Sequence, residues 1–220
     1  MIDRILEPEL MDDPEATQQY DAMDHSEVNR RFVLDLLEAG LPGPDILDLG
    51  TGTARIPIEL CQRSPDCRVM ASDAAQCMLE IGRINVAIAG LEHRIELHLG
   101  DCKQLPFADG MFDCVISNSL LHHLADPRPA IGEIIRVTRP GGRIFVRDLV
   151  RPDDVQALES LVATHAGSEP ESAQQLLRQS LHAALTLDEI RSMVADAGMV
   201  PTDVQMTSDR HWTWCSLKSG

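Results

Sequence analysis

Acidic and polar side chains mark the ends of four predicted strands in this chain, and they are the first candidates for chemistry. Asp48 lies just before a glycine loop, and Asp73, Asp101 and Asn118 follow the next three predicted strands. In an open parallel sheet, ligands bind beyond the carboxyl ends of the strands. An Asp about 20 residues beyond a glycine loop is where a ribose diol is bound through paired hydrogen bonds, and Asp73 has that spacing. The pattern predicts a site for a nucleotide-type ligand.

The glycine loop is Gly50-Thr51-Gly52-Thr53, directly after the apolar pattern of residues 45–49. Glycine lets the backbone turn sharply and approach a ligand closely. A helix predicted to begin near Thr53 would add free N–H groups and the positive end of its dipole. A glycine loop with one Asp also occurs in dehydrogenases, but their G-x-G-x-x-G pattern needs a glycine where this chain has Arg55. The loop therefore argues against a dinucleotide, whose pyrophosphate requires close backbone approach.

Strand and helix patterns alternate around this loop. Strands are expected at 45–49, 68–71, 94–99, 114–117 and 143–148, with a hairpin of 200–207 and 211–217. Helices are expected at 26–38, 53–63, 76–89, 128–137 and 187–197, with one or two more over 153–182 and a turn at 139–142. Such alternation predicts an α/β fold with a mostly parallel sheet that is covered by helices on both faces.

Composition restricts the class of partner. The chain has 220 residues, enough for one domain with a sizeable core, and its formal net charge is −16. That charge repels phosphate backbones and anionic membrane surfaces, so neither nucleic acid nor a membrane is expected as a partner. No apolar run is long enough to span a bilayer, and the N-terminus lacks the apolar segment of a signal peptide. We expect a soluble cytoplasmic protein.

The cysteines do not predict a disulfide framework or a metal site. No C-x-x-C pair occurs, which favours reduced thiols in a cytosolic setting. The six cysteines are Cys61, Cys67, Cys77, Cys102, Cys114 and Cys215. No metal ligand is predicted from the sequence.

Taken together, these motifs resemble the class I S-adenosylmethionine-dependent methyltransferases, especially the small-molecule group that includes the demethylmenaquinone methyltransferases. The resemblance covers about residues 30–150. The matching segments are 46–53, Asp73, Gly100-Asp101, Leu105-Pro106-Phe107, 112–118 and 139–142. The chain departs from the family pattern at Ala54, where many members have a third glycine, and a methyl group there is tolerated if the ligand bends away.

The resemblance implies a Rossmann-like, doubly wound sheet of seven strands with an antiparallel C-terminal hairpin and a helical N-terminal lid. It also implies S-adenosylmethionine as the cofactor and S-adenosylhomocysteine as the product. The glycine loop would hold the methionine part, Asp73 the ribose hydroxyls, and Asp101 with the backbone N–H of Cys102 the adenine. The backbone near Asn118 would meet the methionine ammonium. The candidate cofactor-binding residues are Tyr20, Asp48, Gly50, Thr51, Gly52, Asp73, Ala74, Met78, Asp101, Cys102 and Asn118.

Two of these residues have a specific alternative. Tyr20, the single tyrosine of the chain, would shield the sulfonium from the N-terminal lid, since aromatic faces attract cations. Packing of a surface helix explains its position equally well. Met78 would lie against adenine or, alternatively, serve the core of its own helix.

Candidates for acid–base chemistry lie after later strands. His122 and His123 follow the fourth predicted strand, and Asp148 ends the fifth. An oxygen or carbon acceptor usually needs a base with a pKa near neutrality, and histidine titrates in that range. A packing role is the alternative for the histidines.

We therefore expect a methyltransferase with a small-molecule acceptor and a possible homodimeric state. Four segments of one domain are expected: an N-terminal lid at 1–40, a cofactor-binding core at 41–150, a helical substrate cap at 151–185, and a last helix with hairpin at 186–220. Three alternatives stay open: methylation of a protein or an RNA, cofactor binding without methyl transfer, and a nucleotide-dependent oxidoreductase.

Overall fold

The computed structural model describes residues 2–9, 12–41 and 43–219, and within them the strands form one seven-stranded sheet. The strands are β1 (Asp45–Leu49), β2 (Arg68–Asp73), β3 (Ile95–Leu99), β4 (Phe112–Asn118), β5 (Thr138–Leu149), β6 (Val204–Met206) and β7 (His211–Leu217). The helices are α1 (Pro14–Ala22), α2 (Ser26–Ala39), α3 (Arg55–Arg63), α4 (Gln76–Ala89), α5 (Arg128–Val137), α6 (Val155–Ala166), α7 (Glu171–Ala183) and α8 (Leu187–Asp196). None of the helices in the described residues combines the length and the apolar composition that crossing a membrane requires.

The sheet has the order β3-β2-β1-β4-β5-β7-β6. β1 pairs in parallel with both β2 and β4, β2 pairs in parallel with β3, and β6 and β7 are antiparallel. The register places Leu49 opposite both Ser72 and Ser117, so these three strands end at one edge of the sheet. This is the predicted Rossmann-like architecture, and the fold class is confirmed.

The chain divides into two compact units. The first, which we call the glycine-loop unit, comprises Leu10–Asn118, Pro129–Val146 and Cys215–Gly220. The second, which we call the histidine unit, comprises Met1–Glu9, Ser119–Arg128 and Arg147–Trp214.

Each unit has its own apolar core. In the glycine-loop unit, β1 is buried from Ile46 to Leu49, Asp48 included, because parallel strands are covered on both faces. Phe32 of α2 packs edge-on against Phe145 of β5, with ring centroids 5.2 Å apart. The core of the histidine unit consists of Leu149, Leu158, Val162, Leu181 and Ala184.

Three local expectations are wrong, and each has a physical reason. The first arm of the hairpin does not extend over 200–207, because Pro201, which has no N–H to donate, begins a 3₁₀ turn over Pro201–Asp203, and β6 covers only Val204–Met206. α3 begins at Arg55 and not near Thr53, because Ala54 adopts a left-handed conformation with φ of 61°. Residues 139–142 form the start of β5 and not a turn. The N–H of Gly141 donates to the Lys218 carbonyl, and the Lys218 N–H donates to the Gly142 carbonyl, so long-range pairing overrides the local Pro-Gly signal.

Candidate functional site

The glycine loop is fixed against the end of β2. The N–H groups of Gly50 and Thr51 both donate to the Ser72 carbonyl, at 2.9 and 3.1 Å. Gly50 and Gly52 have φ values of 68° and 56°, which favour glycine. Among the described residues, a Cβ added to Gly52 would meet only the Met78 sulfur within 4 Å, at 3.9 Å, so the loop backbone borders open space. The loop is therefore accessible to a ligand, with Met78 beside it.

Asp73 orients this loop. Its Oδ2 accepts from the Gly52 N–H at 2.8 Å, and its Oδ1 accepts from the Ala75 N–H at 2.9 Å. Burial raises the pKa of Asp73, although these backbone hydrogen bonds oppose the rise. A carboxylate has about four acceptor sites, so capacity remains for the hydroxyls of a ligand. The neighbouring Ala74 is half-buried.

Asp48 is a buried carboxyl group with an unsatisfied oxygen. Its side chain is 2% exposed, and its Oδ2 accepts no hydrogen bond from a described residue. Burial raises the pKa of Asp48 to about 7, the Thr51 hydroxyl opposes the rise, and the charge of Asp73 adds to it. Asn118, on the neighbouring strand β4, has a buried Oδ1 that also lacks a partner among the described residues. Unpaired buried acceptors are costly, and a cationic ligand would satisfy both.

Asp101 and Cys102 follow β3 at the same edge of the sheet. The Gly100 N–H donates to the Asp73 carbonyl at 2.9 Å, which fixes the chain just before Asp101. The Asp101 carboxylate is half-exposed and accepts from the backbone N–H of Lys103 at 2.8 Å, while Cys102 is buried. Asp101 is thus at the predicted edge. Its side chain is held by Lys103, through the backbone N–H and through the ammonium, whose Nζ lies 3.1 Å from Asp101 Oδ1.

Tyr20 lies in α1, within the same unit. Burial raises the pKa of Tyr20, and the charges of Asp73 and Asp21 raise it further, which places its hydroxyl in an acidic environment. Its ring lies 5.0 Å from that of His25. The structure therefore brings Tyr20 into the neighbourhood of the predicted ribose-binding residue.

Sequence reasoning missed the residues that attach α1 to the loop. Asp21 accepts from the Arg55 guanidinium at 3.0 and 2.7 Å, and Asn85 of α4 donates to Asp21 at 3.2 Å. The same Asn85 amide donates to the Thr53 carbonyl at 3.0 Å. Asp12 accepts from the Cys77 N–H at the start of α4, at 2.9 Å. These pairs join distant segments, and no spacing in the sequence signals them.

The proposed catalytic residues converge in the histidine unit. His122 is buried, and its Nδ1 lies 2.6 Å from Asp148 Oδ1, while its backbone N–H donates to Asp148 Oδ2 at 3.1 Å. Glu7, which the sequence did not indicate, has its Oε1 3.2 Å from His122 Nε2 and 3.2 Å from His123 Nδ1.

Charge couples this cluster. Burial by itself would lower the pKa of His122, but the carboxylates of Asp148 and Glu7 raise it to about 9. Burial and the neighbouring His122 lower the pKa of His123. Burial opposes ionisation of Asp148, yet the imidazolium of His122 holds the pKa of Asp148 below its usual value. His122 is thus paired as a cation between two carboxylates.

Comparison with known proteins identifies the family. A family model described as "Methyltransferase domain" matches residues 47–146. A demethylmenaquinone methyltransferase of Renibacterium salmoninarum is 31% identical over 180 residues, which cover 77% of this chain and 71% of the relative. The chain belongs to the class I S-adenosylmethionine-dependent methyltransferases. The resemblance seen in the sequence is confirmed.

Other comparisons agree on this methyltransferase fold. A demethylmenaquinone methyltransferase of Thermus thermophilus is 38% identical over 123 residues, 56% of this chain and 54% of that protein. The crystal structure of a putative S-adenosyl-L-methionine-dependent methyltransferase from Methanococcus maripaludis superposes with a TM-score of 0.77, covering 98% of both chains at 19% identity. The chain spans about half the length of several curated relatives, between 45% and 57%.

S-adenosylmethionine is the cofactor of this family, and the glycine-loop unit fits it. The molecule is cationic at its sulfonium and its ammonium, and the unit offers the unpaired oxygens of Asp48 and Asn118. The backbone at Gly52 leaves space for the ligand. Because the Asp48 and Asn118 oxygens are acceptors without a partner among the described residues, they suit a cationic ligand better than a pyrophosphate.

Proposed function

We propose that this methyltransferase transfers a methyl group from S-adenosylmethionine to a small-molecule acceptor. The observation that carries the proposal is the buried oxygen of Asp48, which has no partner among the described residues and lies beside a glycine loop that Asp73 orients. An acidic site of this kind stabilises a cation through charge and hydrogen bonding. Bound there, the cofactor supplies a methyl carbon that its sulfonium has already activated.

The proposal assigns one part of the cofactor to each group of residues. Gly50, Thr51 and Gly52 receive the methionine part, and the ammonium meets Asp48 and the backbone near Asn118. The free acceptor capacity of Asp73 serves the ribose hydroxyls. On the adenine side, Ala74 and Met78 contact the ring, Asp101 accepts from the amino group, and the Cys102 N–H donates. Tyr20 faces the sulfonium from α1.

The small size of the acceptor is supported by charge and by relatives. A net charge of −16 disfavours RNA, because its phosphates would be repelled. The Renibacterium relative is named for a small molecule, demethylmenaquinone. A protein acceptor and cofactor binding without transfer are the competing functions.

His122, His123 and Asp148 stay proposed as residues that act on the acceptor. They belong to the histidine unit, whereas the cofactor constellation belongs to the glycine-loop unit. Substitution of His123 by Ala is therefore expected to slow turnover and to leave cofactor affinity unchanged. Equal turnover in both proteins would remove His123 from the reaction.

Calorimetry followed by acceptor screening tests the proposal. S-adenosylmethionine and S-adenosylhomocysteine are expected to bind, and NAD is not. Cofactor labelled in the methyl group is then incubated with panels of small molecules, a protein extract and total RNA. Label in a small molecule supports the proposal, while label in protein or RNA alone contradicts the acceptor class. Tight binding without transfer to any acceptor favours a cofactor-binding protein.

A further inference from the structure

The histidine unit contains side chains with the composition and spacing of a transition-metal site. Glu7 Oε1 lies 3.2 Å from His122 Nε2 and 3.2 Å from His123 Nδ1. The three atoms all lie within 4.8 Å of one another. We propose that Glu7, His122 and His123 bind a divalent transition-metal ion of the Zn²⁺ class, with the fourth coordination position open.

The distances suit tetrahedral coordination. Metal–ligand bonds of about 2.0–2.1 Å place neighbouring ligand atoms of a tetrahedral Zn²⁺ roughly 3.3 Å apart. The two separations from Glu7 have that length already. Two histidines and one glutamate are a known zinc ligand set, in which the fourth position holds water or another ligand. The third pair, the two histidine nitrogens, lies within 4.8 Å.

Asp148 prepares His122 as a ligand. Metal-binding histidines almost always donate their second ring N–H to a carboxylate or carbonyl. Asp148 Oδ1 lies 2.6 Å from Nδ1 of His122, and the same oxygen accepts from the Leu149 backbone N–H at 2.7 Å, which fixes its position. Nδ1 thus carries the proton, and Nε2 is directed at Glu7. The Ser180 hydroxyl donates to Glu7 Oε1 at 3.2 Å and steadies the third ligand.

His123 supplies the third ligand atom. Its Nδ1 is buried and makes no hydrogen bond with a described residue, although it lies 3.2 Å from Glu7 Oε1. A metal ion between His123 Nδ1 and Glu7 Oε1 would be coordinated by a lone pair from each of these atoms. The His123 side chain is 29% exposed, whereas that of His122 is 3% exposed, so an ion has a route from solvent on the His123 side.

A proton can replace the metal. Without an ion, a protonated His122 bridges Asp148 and Glu7 and holds the cluster together as an ion-pair network. The two descriptions differ in what the purified protein binds. They also differ in the effect of changing Glu7. In the metal site the change removes a ligand and lowers the affinity for the ion, whereas in the ion-pair network it removes one partner of His122 and affects no metal binding.

Titration of the 220-residue chain with Zn²⁺ and Co²⁺, after treatment with a chelator, tests the site. The wild type is expected to bind one ion, to give the visible absorption of low-coordinate Co²⁺ with nitrogen and oxygen ligands, and to melt at a higher temperature with Zn²⁺. Glu7→Gln and His123→Gln each remove a ligand, so each should lower the affinity more than Asp148→Asn does. Asp148→Asn should lower it by roughly 10–100-fold, the range for second-shell partners.

His165→Gln is the matched control. His165 Nε2 lies 2.7 Å from Asp209 Oδ2 in the same unit, but no third ligand joins this pair within the described part of the chain, and its carboxylate is 54% exposed, against 9% for Glu7. The control should bind like the wild type. Circular dichroism and thermal melting in the presence of chelator identify any variant that fails to fold. If a histidine variant unfolds, the affinity of Glu7→Gln, which preserves side-chain volume, decides the result.

Three results would overturn the proposal. One is binding that Glu7→Gln and His123→Gln leave unchanged. Another is a Co²⁺ spectrum with thiolate charge-transfer bands, which would place the ion on the free cysteines of this chain. The third is the lack of any saturable binding, which would leave the ion-pair network as the whole role of the cluster.

Discussion

Asp48 indicates the charge of the ligand that the glycine-loop site is suited to bind. The side chain is buried, one oxygen has no hydrogen-bond partner among the described residues, and its pKa is raised to about 7. A neutral ligand would leave this carboxyl group protonated below about pH 7. A ligand with an ammonium or a sulfonium would favour its ionised form and release the proton.

Cofactor binding should therefore release a proton at pH 6. Calorimetry in two buffers of different ionisation enthalpy is expected to give nearly one proton released by the wild type and almost none by Asp48→Asn. Affinity of the wild type should rise between pH 5 and 7. This range lies below the titration of a ligand α-amino group, whose pKa is about 7.7–8.0. Equal proton release by both proteins would contradict the role of Asp48.

The free energy of unfolding of the ligand-free protein should depend on pH through the ionisation of Asp48. Because the folded-state pKa of Asp48 lies above its unfolded value, the folded state holds the extra proton, and stability falls as pH rises from about 4 to 7. Asp48→Asn, which has no carboxyl group to ionise at this position, should not show this fall in stability. At pH 8 the variant should be more stable than the wild type, by at most roughly 4 kcal/mol. Urea unfolding at pH 5 and pH 8 measures the difference, and an identical pH dependence of the two proteins would refute it.

Asp73 and Asp101 should differ although their motif positions look equivalent. Asp73 both orients the glycine loop and offers acceptors to a ligand, whereas Asp101 is held by a local turn. Asp101→Ala should weaken cofactor binding by about 1–3 kcal/mol, and Asp73→Ala should weaken it more. The exposed Asp66, in the same unit, serves as the control when changed to Ala. Calorimetric affinities that are unchanged in both site variants would remove the assignment.

At the scale of elements, local patterns predicted the strands and failed where distant segments meet. β1, α4 and α5 have the predicted bounds, because apolar periodicity and a glycine stop are local signals. Residues 139–142 carry a Pro-Gly turn signal, yet they pair with Lys218, which no local pattern reveals. α3 begins two residues later than predicted because Ala54 has a left-handed backbone conformation, which alanine rarely adopts.

Gly142 in β5 should not tolerate a side chain. An added Cβ would lie 2.8 Å from the Arg139 carbonyl oxygen and 2.9 Å from that of Asp113, and backbone atoms cannot move away easily. We expect Gly142→Ala to lower the free energy of unfolding by about 1–3 kcal/mol. The matched control is Gly132→Ala in α5, where an added Cβ meets nothing within 4 Å. That variant should be neutral or more stable by up to about 1 kcal/mol. Equal melting curves for the two variants would contradict the contact.

At the scale of the whole molecule, the cofactor residues were more predictable than the rest of the site. Asp48, Asp73 and the glycine loop follow strand ends, and parallel pairing brings strand ends to one edge. Glu7 and Asp21 come from the acidic N-terminal stretch, which has no periodicity to place it. Glu7 contacts His122 and Asp21 contacts Arg55 only through tertiary folding, so their partners could not be read from spacing.

The whole-molecule charge limits the acceptor. A net charge of −16 favours neutral or cationic small molecules over polyanions, because long-range repulsion slows the approach of an anion. The chain also spans only about half the length of several curated relatives, so their acceptors do not transfer to it directly.

A crystal structure with S-adenosylhomocysteine tests the central claim most directly. We predict that the ribose hydroxyls lie within hydrogen-bond distance of the Asp73 carboxylate. The amino-acid end should lie along the glycine loop, with its ammonium near Asp48 and Asn118. Product bound elsewhere, or a complex in which Asp73 and Asp48 face away from the ligand, would contradict the cofactor site described for this chain.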